Sequence, residues 1–418
     1  MPAGRARYLR PRAKPPASLD EPMSIQSAPA STIAAPSRGS WGAVGALTLC
    51  VSALIASEFM PVSLLTPIAA DLHISEGQAG QAIAVSGLFA VLTSLFISSV
   101  AARLDRRRVL LGLTCLMIVS GLMVTFAPNA LAFMAGRALV GVVVGGFWSM
   151  SAATVMRLVP EDQVPRALVI LNGGNAFATT IAAPLGSFLG LYLGWRGAFF
   201  FVVPLGVLTL VWQYMTLPAL PVATRTRAAG ALRVLRHPEI LVGMAAVAAL
   251  FAGRFALFTY LRPFLETVTR VGPSTLSMLL LVVGAAGLVG SMLMGALVGR
   301  RLQAMMVGMP LAMAAIAAGL IPLGASLAGV ALLLAAWGLI STPSPVAWWT
   351  WLAKALPDEA EAGGGLLVAV VQLAITVGAA VGGLLVDASG YTADFALSAA
   401  ILCAAALLAH LGLRRAKG

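Results

Sequence analysis

Long apolar runs bounded by short polar or basic segments follow one another along the chain from residue 42 onward. They fall near 42–66, 78–101, 109–127, 131–157, 165–190 and 197–217. A second set lies near 238–260, 275–299, 303–324, 328–352, 362–386 and 392–413. Each run matches the ~20 residues a helix needs to cross ~30 Å of hydrocarbon at ~1.5 Å per residue. The pattern predicts an all-α membrane protein of twelve transmembrane helices. It divides the chain into a six-helix bundle over 41–217, a linker over 218–237 and a second bundle over 238–413. Residues 1–40 stand apart. They carry Arg5, Arg7, Arg10, Arg12 and Lys14 among prolines, serines and alanines, without the apolar core of a signal peptide. They read as a disordered basic tail, and 414–418 as a short basic one.

Composition agrees with this division. The chain is 60% hydrophobic and 10% charged, where soluble domains sit near ~45–50% and ~25%. The net charge of +12 is not a nucleic-acid signal, because the basic residues sit at the ends of apolar runs and form no stripe on a soluble element. Of 27 Lys and Arg residues, only Arg196, Arg262 and Arg270 fall on expected external loops, and only Arg137 and Arg254 lie well inside spans, away from their ends. The rest flank the other side, which places both termini in the cytoplasm. Arginine far outnumbers lysine, as in GC-rich bacterial genomes, so the expected location is a bacterial inner membrane. Cys50, Cys115 and Cys403 lie singly in apolar runs, and His73, His237 and His410 are scattered. No metal site, disulfide or cofactor is expected. No phosphate-binding glycine loop for ATP and no catalytic constellation is visible, so an enzyme is not expected.

The two halves repeat. Arg106-Arg107 answers Arg300-Arg301, and Leu158 to Asp162 answers Ala355 to Glu359. Gly186, Gly194 and Phe199 answer Gly382, Gly390 and Phe395. The offsets, between 194 and 197 residues, are nearly constant. Both copies begin on the cytoplasmic side, so the repeat is parallel, and a substrate site is expected between the halves. The halves can satisfy each other, which fits a monomer.

Glu58 is the acid placed well inside an apolar run, and it shares the membrane interior with Arg137 and Arg254. Counted along the predicted spans, all three fall in the outer third of the bilayer. An ionisable group there costs ~2.5–3.5 kcal/mol even on lenient scales, so it persists when paired or wet. Glu58 is the candidate for taking up and releasing a coupling proton, tuned by Arg137; a static ion pair is the alternative. Asn172 and Asn175 are three apart on one helical face. They face either a solute or a neighbouring helix. Trp148, Tyr260 and Gln372 are further candidates for a central cavity, with Arg254 beside them. Trp348 and Trp349 read as interfacial anchors.

Ala101-Ala-Arg-Leu-Asp105-Arg106-Arg107-Arg108 resembles the loop signature between spans two and three of the major facilitator superfamily. That resemblance implies a cytoplasmic gate built on Asp105, Arg106 and Arg108. Asp105 would face the start of span eleven and pair with Arg157. Arg137-Ala-Leu-Val-Gly141-Val-Val-Val-Gly145-Gly146 is similar to the fourth-span signature. Ala182-Ala183-Pro184-Leu185-Gly186 is similar to a degenerate fifth-span antiporter motif, in which Pro184 would kink the helix.

A closer likeness covers nearly all of the chain after residue 40. It is carried by Glu58-Phe-Met-Pro61, Gly145-Gly-Phe-Trp148, Met156-Arg-Leu-Val-Pro160, Thr259-Tyr260-Leu-Arg262-Pro263 and Gln372-Leu. These stretches resemble the purine-nucleoside exporters of the twelve-span drug:proton antiporter family. The resemblance implies proton-driven export of purine ribonucleosides and their analogues by alternating access. Its partners would be a small solute, protons and lipid, and no nucleic acid. Sugars or chloramphenicol-like drugs are the alternative cargo, and a non-transporting membrane sensor is the remote alternative. The amide pair Asn172 and Asn175 departs from that family's pattern.

Overall fold

The computed structural model describes residues 40–101, 104–220, 238–356 and 360–415. Among them the fold is helical throughout, with no strand. The basic N-terminal tail, most of the 218–237 linker and the last three residues of the chain lie outside the described residues. So do Pro357, Asp358 and Glu359 of the second repeat motif.

Among the described residues twelve spans follow in order. Spans one to four are Trp41–Leu72, Glu76–Ala101, Arg106–Thr125 and Ala130–Val155. The helix Val164–Phe200 breaks at Gly194 (φ 69°, ψ 170°) into span five and the start of span six, which continues as Val202–Thr216. Span seven is Pro238–Thr267, broken at Tyr260. The helix Pro273–Leu323 breaks at Arg301 into spans eight and nine. Span ten is Leu327–Ala355, interrupted at Thr342 and Pro343. Spans eleven and twelve are Ala360–Ser389 and Tyr391–Arg415.

Two spans outrun their apolar runs. Span one continues through Pro67 to Leu72, and span seven continues to Thr267. Prolines are tolerated inside a membrane helix when neighbours satisfy the freed backbone groups, and here they do. The longer helices shift the depth of the charged residues. Glu58 stands near the middle of a 32-residue helix rather than in its outer third. Arg254 likewise stands near the middle of span seven. Arg262, expected on an external loop, lies on the outer extension of span seven.

The repeat is written in the backbone. Four described residues have positive φ: His73, Gly194, Arg270 and Gly390. They form two pairs at offsets of 197 and 196 residues, one after spans one and seven, the other after spans five and eleven. Glycine at 194 and 390 permits a left-handed turn short enough to reverse the chain between adjacent spans.

The halves meet along two seams, span two against span eleven and span five against span eight. Gly87 packs on Thr376 and the Gln372 backbone, and Gly80 and Gly383 make room for the Tyr260 ring. Gly284 lies against the Thr180 carbonyl.

Candidate functional site

Arg137 is fully buried on span four. Gly141 and Gly145 let that span approach the backbone of span two at Ser86 and Ala90, which brings the guanidinium between spans one, two and four. It donates to the carbonyls of Ser57 (2.7 Å) and Glu58 (2.9 Å) and more loosely to Ala82 O and Ser86 Oγ. The Ser57 carbonyl is free for it because the residue four ahead is Pro61, which has no N–H. The static ion pair of Arg137 with Glu58, the alternative left open by the sequence, gives way to main-chain contacts. The guanidinium remains a nearby positive charge.

The same arrangement occurs twice more. Arg254 donates to the Ser341 carbonyl (3.0 Å), and the residue four ahead of Ser341 is Pro345. Arg262 donates to the Ser63 carbonyl, and the residue four ahead of Ser63 is Pro67. Each arginine satisfies an acceptor that a proline has taken out of the helix ladder. Arg254 also lies 5.6 Å from the Phe255 ring centre. It stands in the structural position of a helix clamp, where the sequence placed it in a cavity.

Glu58 points the other way. Its Oε1 accepts from Nε2 of Gln372 at 3.2 Å. Glu58 belongs to span one and Gln372 to span eleven, so this bond joins the two halves in mid-membrane. Both side chains are buried, at 4% and 8% exposure. The structure thus brings together two of the sequence candidates that lie 314 residues apart.

Toward the outer side the halves are joined by further hydrogen bonds. Ser75 Oγ donates to Asp387 (2.6 Å), and the Gly77 N–H donates to the same carboxylate (3.0 Å). Tyr391 donates to Glu76 at 2.5 Å, and Gln81 to the Ala380 carbonyl at 3.2 Å. Ser187 and Ser277 are 2.7 Å apart across the second seam. Arg262 crosses to Ser63 while its Nε donates to Glu266 at 2.9 Å. Tyr260 reinforces this seam by packing, its ring lying against Gly80 of span two, while its hydroxyl bonds within its own half. It is fully buried, donates to Ala379 O (2.7 Å) and reaches Gly77 O at 3.5 Å. It is a packing element of the outer seam rather than a wall of the cavity. The sequence reading missed Glu76, Asp387 and Tyr391, which looked like span-end residues.

The remaining candidates spread out. Asn172 is exposed, with Nδ2 on its own helix at Leu168 O (2.9 Å), and Asn175 is half-buried. Trp148 is half-buried and meets Phe147 edge-on at 6.3 Å. Trp348 is not an interfacial anchor: it is buried and packs edge-on against Trp351 at 5.7 Å, while Trp349 is exposed. The backbone stays helical through Pro184, and the break in that helix falls at Gly194 instead. The carbonyl that Pro184 frees, Thr180 O, meets Gly284 of the opposite half.

At the cytoplasmic side Asp105 caps span three. Its Oδ1 accepts from the Arg107 N–H (2.8 Å) and from the Leu220 N–H (3.0 Å). That ties the loop to the beginning of the linker. Arg107 donates to Tyr214 O at 2.7 Å. Arg106 and Arg157 are half-buried and Arg108 is exposed.

Comparison with known proteins fits this geometry. The family described as Major Facilitator Superfamily matches residues 46–368. The chain is 54% identical over 380 residues to a Pseudomonas aeruginosa protein named Transcription regulatory protein OpdE, covering 90% of this chain and 94% of that one. It is 41% identical over 371 residues to Purine ribonucleoside efflux pump NepI of Salmonella paratyphi B, covering 89% and 94%. Among solved structures, a bacterial homologue of the human lysosomal transporter Spinster, inward-facing and unoccupied, superposes with a TM-score of 0.76. It shares 18% identity, with 90% of this chain and 97% of that one covered.

Proposed function

The chain belongs to the Major Facilitator Superfamily, and from that premise we propose that it exports purine ribonucleosides and their analogues in exchange for protons. The observation that carries the reading is the Glu58–Gln372 hydrogen bond (3.2 Å). It sets an acid in mid-membrane whose donor comes from the opposite half. When the halves rock, the carboxylate loses that donor and changes its surroundings, which couples its proton to the motion. Arg137 keeps a positive charge beside it without neutralising it by direct contact.

The conformation with hydrogen bonds across the outer seam is read as facing the cytoplasm. Asn172 and Asn175, on the inner half of span five, then stand where a solute enters. Their amides offer the donors and acceptors that ribose hydroxyls and base edges require. The relative named as a purine ribonucleoside efflux pump supports the cargo class. Sugars and amphipathic drugs are the competing cargo. The cytoplasmic gate is assigned to Asp105 with Arg106, Arg108 and Arg157. The twelve spans place the protein in the bacterial inner membrane as a multi-pass transporter.

A second reading has one observation behind it, the name of the 54% identical relative, a transcription regulatory protein. A carrier that sets the internal level of an inducer changes expression without touching DNA. The two readings part on Glu58→Gln. Under transport, that variant abolishes any effect on expression; under direct sensing, the effect survives.

The test of cargo is accumulation of radiolabelled inosine in everted vesicles under an imposed proton gradient. Gradient-dependent accumulation supports the nucleoside. Its absence, in vesicles that release protons when other compounds are added, keeps the antiporter and discards that cargo.

A further inference from the structure

Asp394 lies in the first turn of span twelve and is fully buried. Neither carboxyl oxygen has a hydrogen-bond partner among the described residues. Its surroundings are defined by the space in front of Gly382. A Cβ there would lie 2.8 Å from Asp394 Oδ1, 3.0 Å from the Tyr260 ring and 3.3 Å from the Ala256 backbone. The acid therefore sits immediately behind the tyrosine whose ring packs across the outer seam on Gly80.

The internal repeat shows that the fold does not need an acid here. The position equivalent to Asp394, 196 residues earlier, is Ala198, which is equally buried. The neighbours correspond as well: Gly186 packs against Met60, as Gly382 packs against Ala256. One half fills the site with a methyl group and the other with a carboxyl group. A carboxyl group placed where a methyl group suffices has a task other than packing.

An ionised carboxylate buried without a partner is costly, far beyond what a helix N-terminus returns. Tyr260 faces Asp394 across the space before Gly382, and the titratable groups joined at the same seam are Asp387, Glu76, Tyr391 and Glu266. Arg262, a cation on the outer extension of span seven, is engaged by Glu266 and the Ser63 carbonyl. Among the described residues no donor reaches either oxygen of Asp394 to offset a negative charge, so the closed seam disfavours the carboxylate.

We infer that Asp394 is a second proton-binding site, separate from Glu58, and that it must take up a proton for the outer seam to close. Opening withdraws span two from Tyr260 and lets water reach the corner between spans seven, eleven and twelve. Asp394 then ionises into the external medium. Closure requires one proton back from that side, so external acidity drives the transporter toward its cytoplasm-facing state. The role in transport rests on the antiport reading above; the protonation itself does not.

The test uses the full-length protein in a cysteine-free background with Ala84→Cys as a reporter. Ala84 is 6% exposed, in the span-two face of the seam. A membrane-impermeant maleimide labels it from outside only when the seam opens. The expected result is labelling that rises severalfold as external pH is raised. Asp394→Asn should make labelling low and independent of pH, and Asp394→Glu should restore the dependence. Glu58→Gln should abolish gradient-driven transport and keep the pH-dependent labelling, so failure of the antiport reading shows separately. If Asp394→Asn labels with the wild-type pH profile, or wild-type labelling ignores external pH, the inference is overturned. Infrared spectra of wild-type protein with isotopically labelled aspartate decide the matter should Asp394→Asn not fold. A neutral-acid carbonyl band at neutral pH supports the site, and its absence overturns it.

Discussion

The guanidinium of Arg137 donates at 2.7 Å to the Ser57 carbonyl that Pro61 leaves without a helical donor. Proline and arginine, on spans one and four, are halves of one device. Pro61 creates a buried acceptor next to Glu58, and Arg137 satisfies it while delivering a positive charge to the same turn. Arg254 with Pro345, and Arg262 with Pro67, repeat the arrangement.

This device makes a double-mutant prediction. Arg137→Met strands the Ser57 carbonyl and lowers stability by about 2 kcal/mol, within the ~1–3 kcal/mol for a buried group left unsatisfied. Pro61→Ala returns an N–H to Ser57. In that background Arg137→Met should cost about 1 kcal/mol less. Thermal unfolding of the four purified proteins measures the cycle; strictly additive effects would separate the two residues.

The outer seam makes a second prediction. Tyr260→Phe removes the hydrogen bond to Ala379 O (2.7 Å) and the longer reach to Gly77. The Ala379 bond lies within one half and survives opening, so only the weak reach to Gly77 is lost at the seam, and the opened population should rise by less than the roughly fivefold that a full ~1 kcal/mol would give. Gly80→Ala should act more strongly, because its Cβ would lie within 2.6 Å of the Tyr260 ring atom Cε1. Both variants should increase maleimide labelling at Ala84→Cys from outside.

Cargo recognition is separable from proton coupling. Asn172→Leu and Asn175→Leu should raise the KM for inosine about tenfold or more, the scale set by losing a hydrogen bond in a desolvated site. Exchange of protons for a non-nucleoside cargo should be unaffected. Equal loss for every cargo would make the amides structural ties of span five.

The sequence made the twelve spans readable because hydrocarbon demands long apolar runs, and the repeat readable because Gly194 and Gly390 must turn left-handed. It misplaced what depends on tertiary neighbours. Pro67 read as the end of span one, since the Arg262 that satisfies its freed carbonyl lies 199 residues away from Ser63. Tyr260 read as a cavity wall because only the fold sets it between Gly80 and Gly383. Asp394, two residues into its apolar run, read as an ordinary span-end acid. Its burial comes from spans seven and eleven closing over it. Glu58 and Gln372 were each visible as polar groups in apolar runs, but their bond required the two halves to be docked.

The most direct test of the central claim compares Glu58→Gln with the wild type in proteoliposomes loaded with inosine. Two rates are measured, net movement driven by a proton gradient and gradient-independent exchange of labelled for unlabelled inosine. The account predicts that the variant loses the first and keeps the second, since a neutral amide lets the halves rock but carries no proton. Gradient-driven transport at the wild-type rate in Glu58→Gln would contradict it.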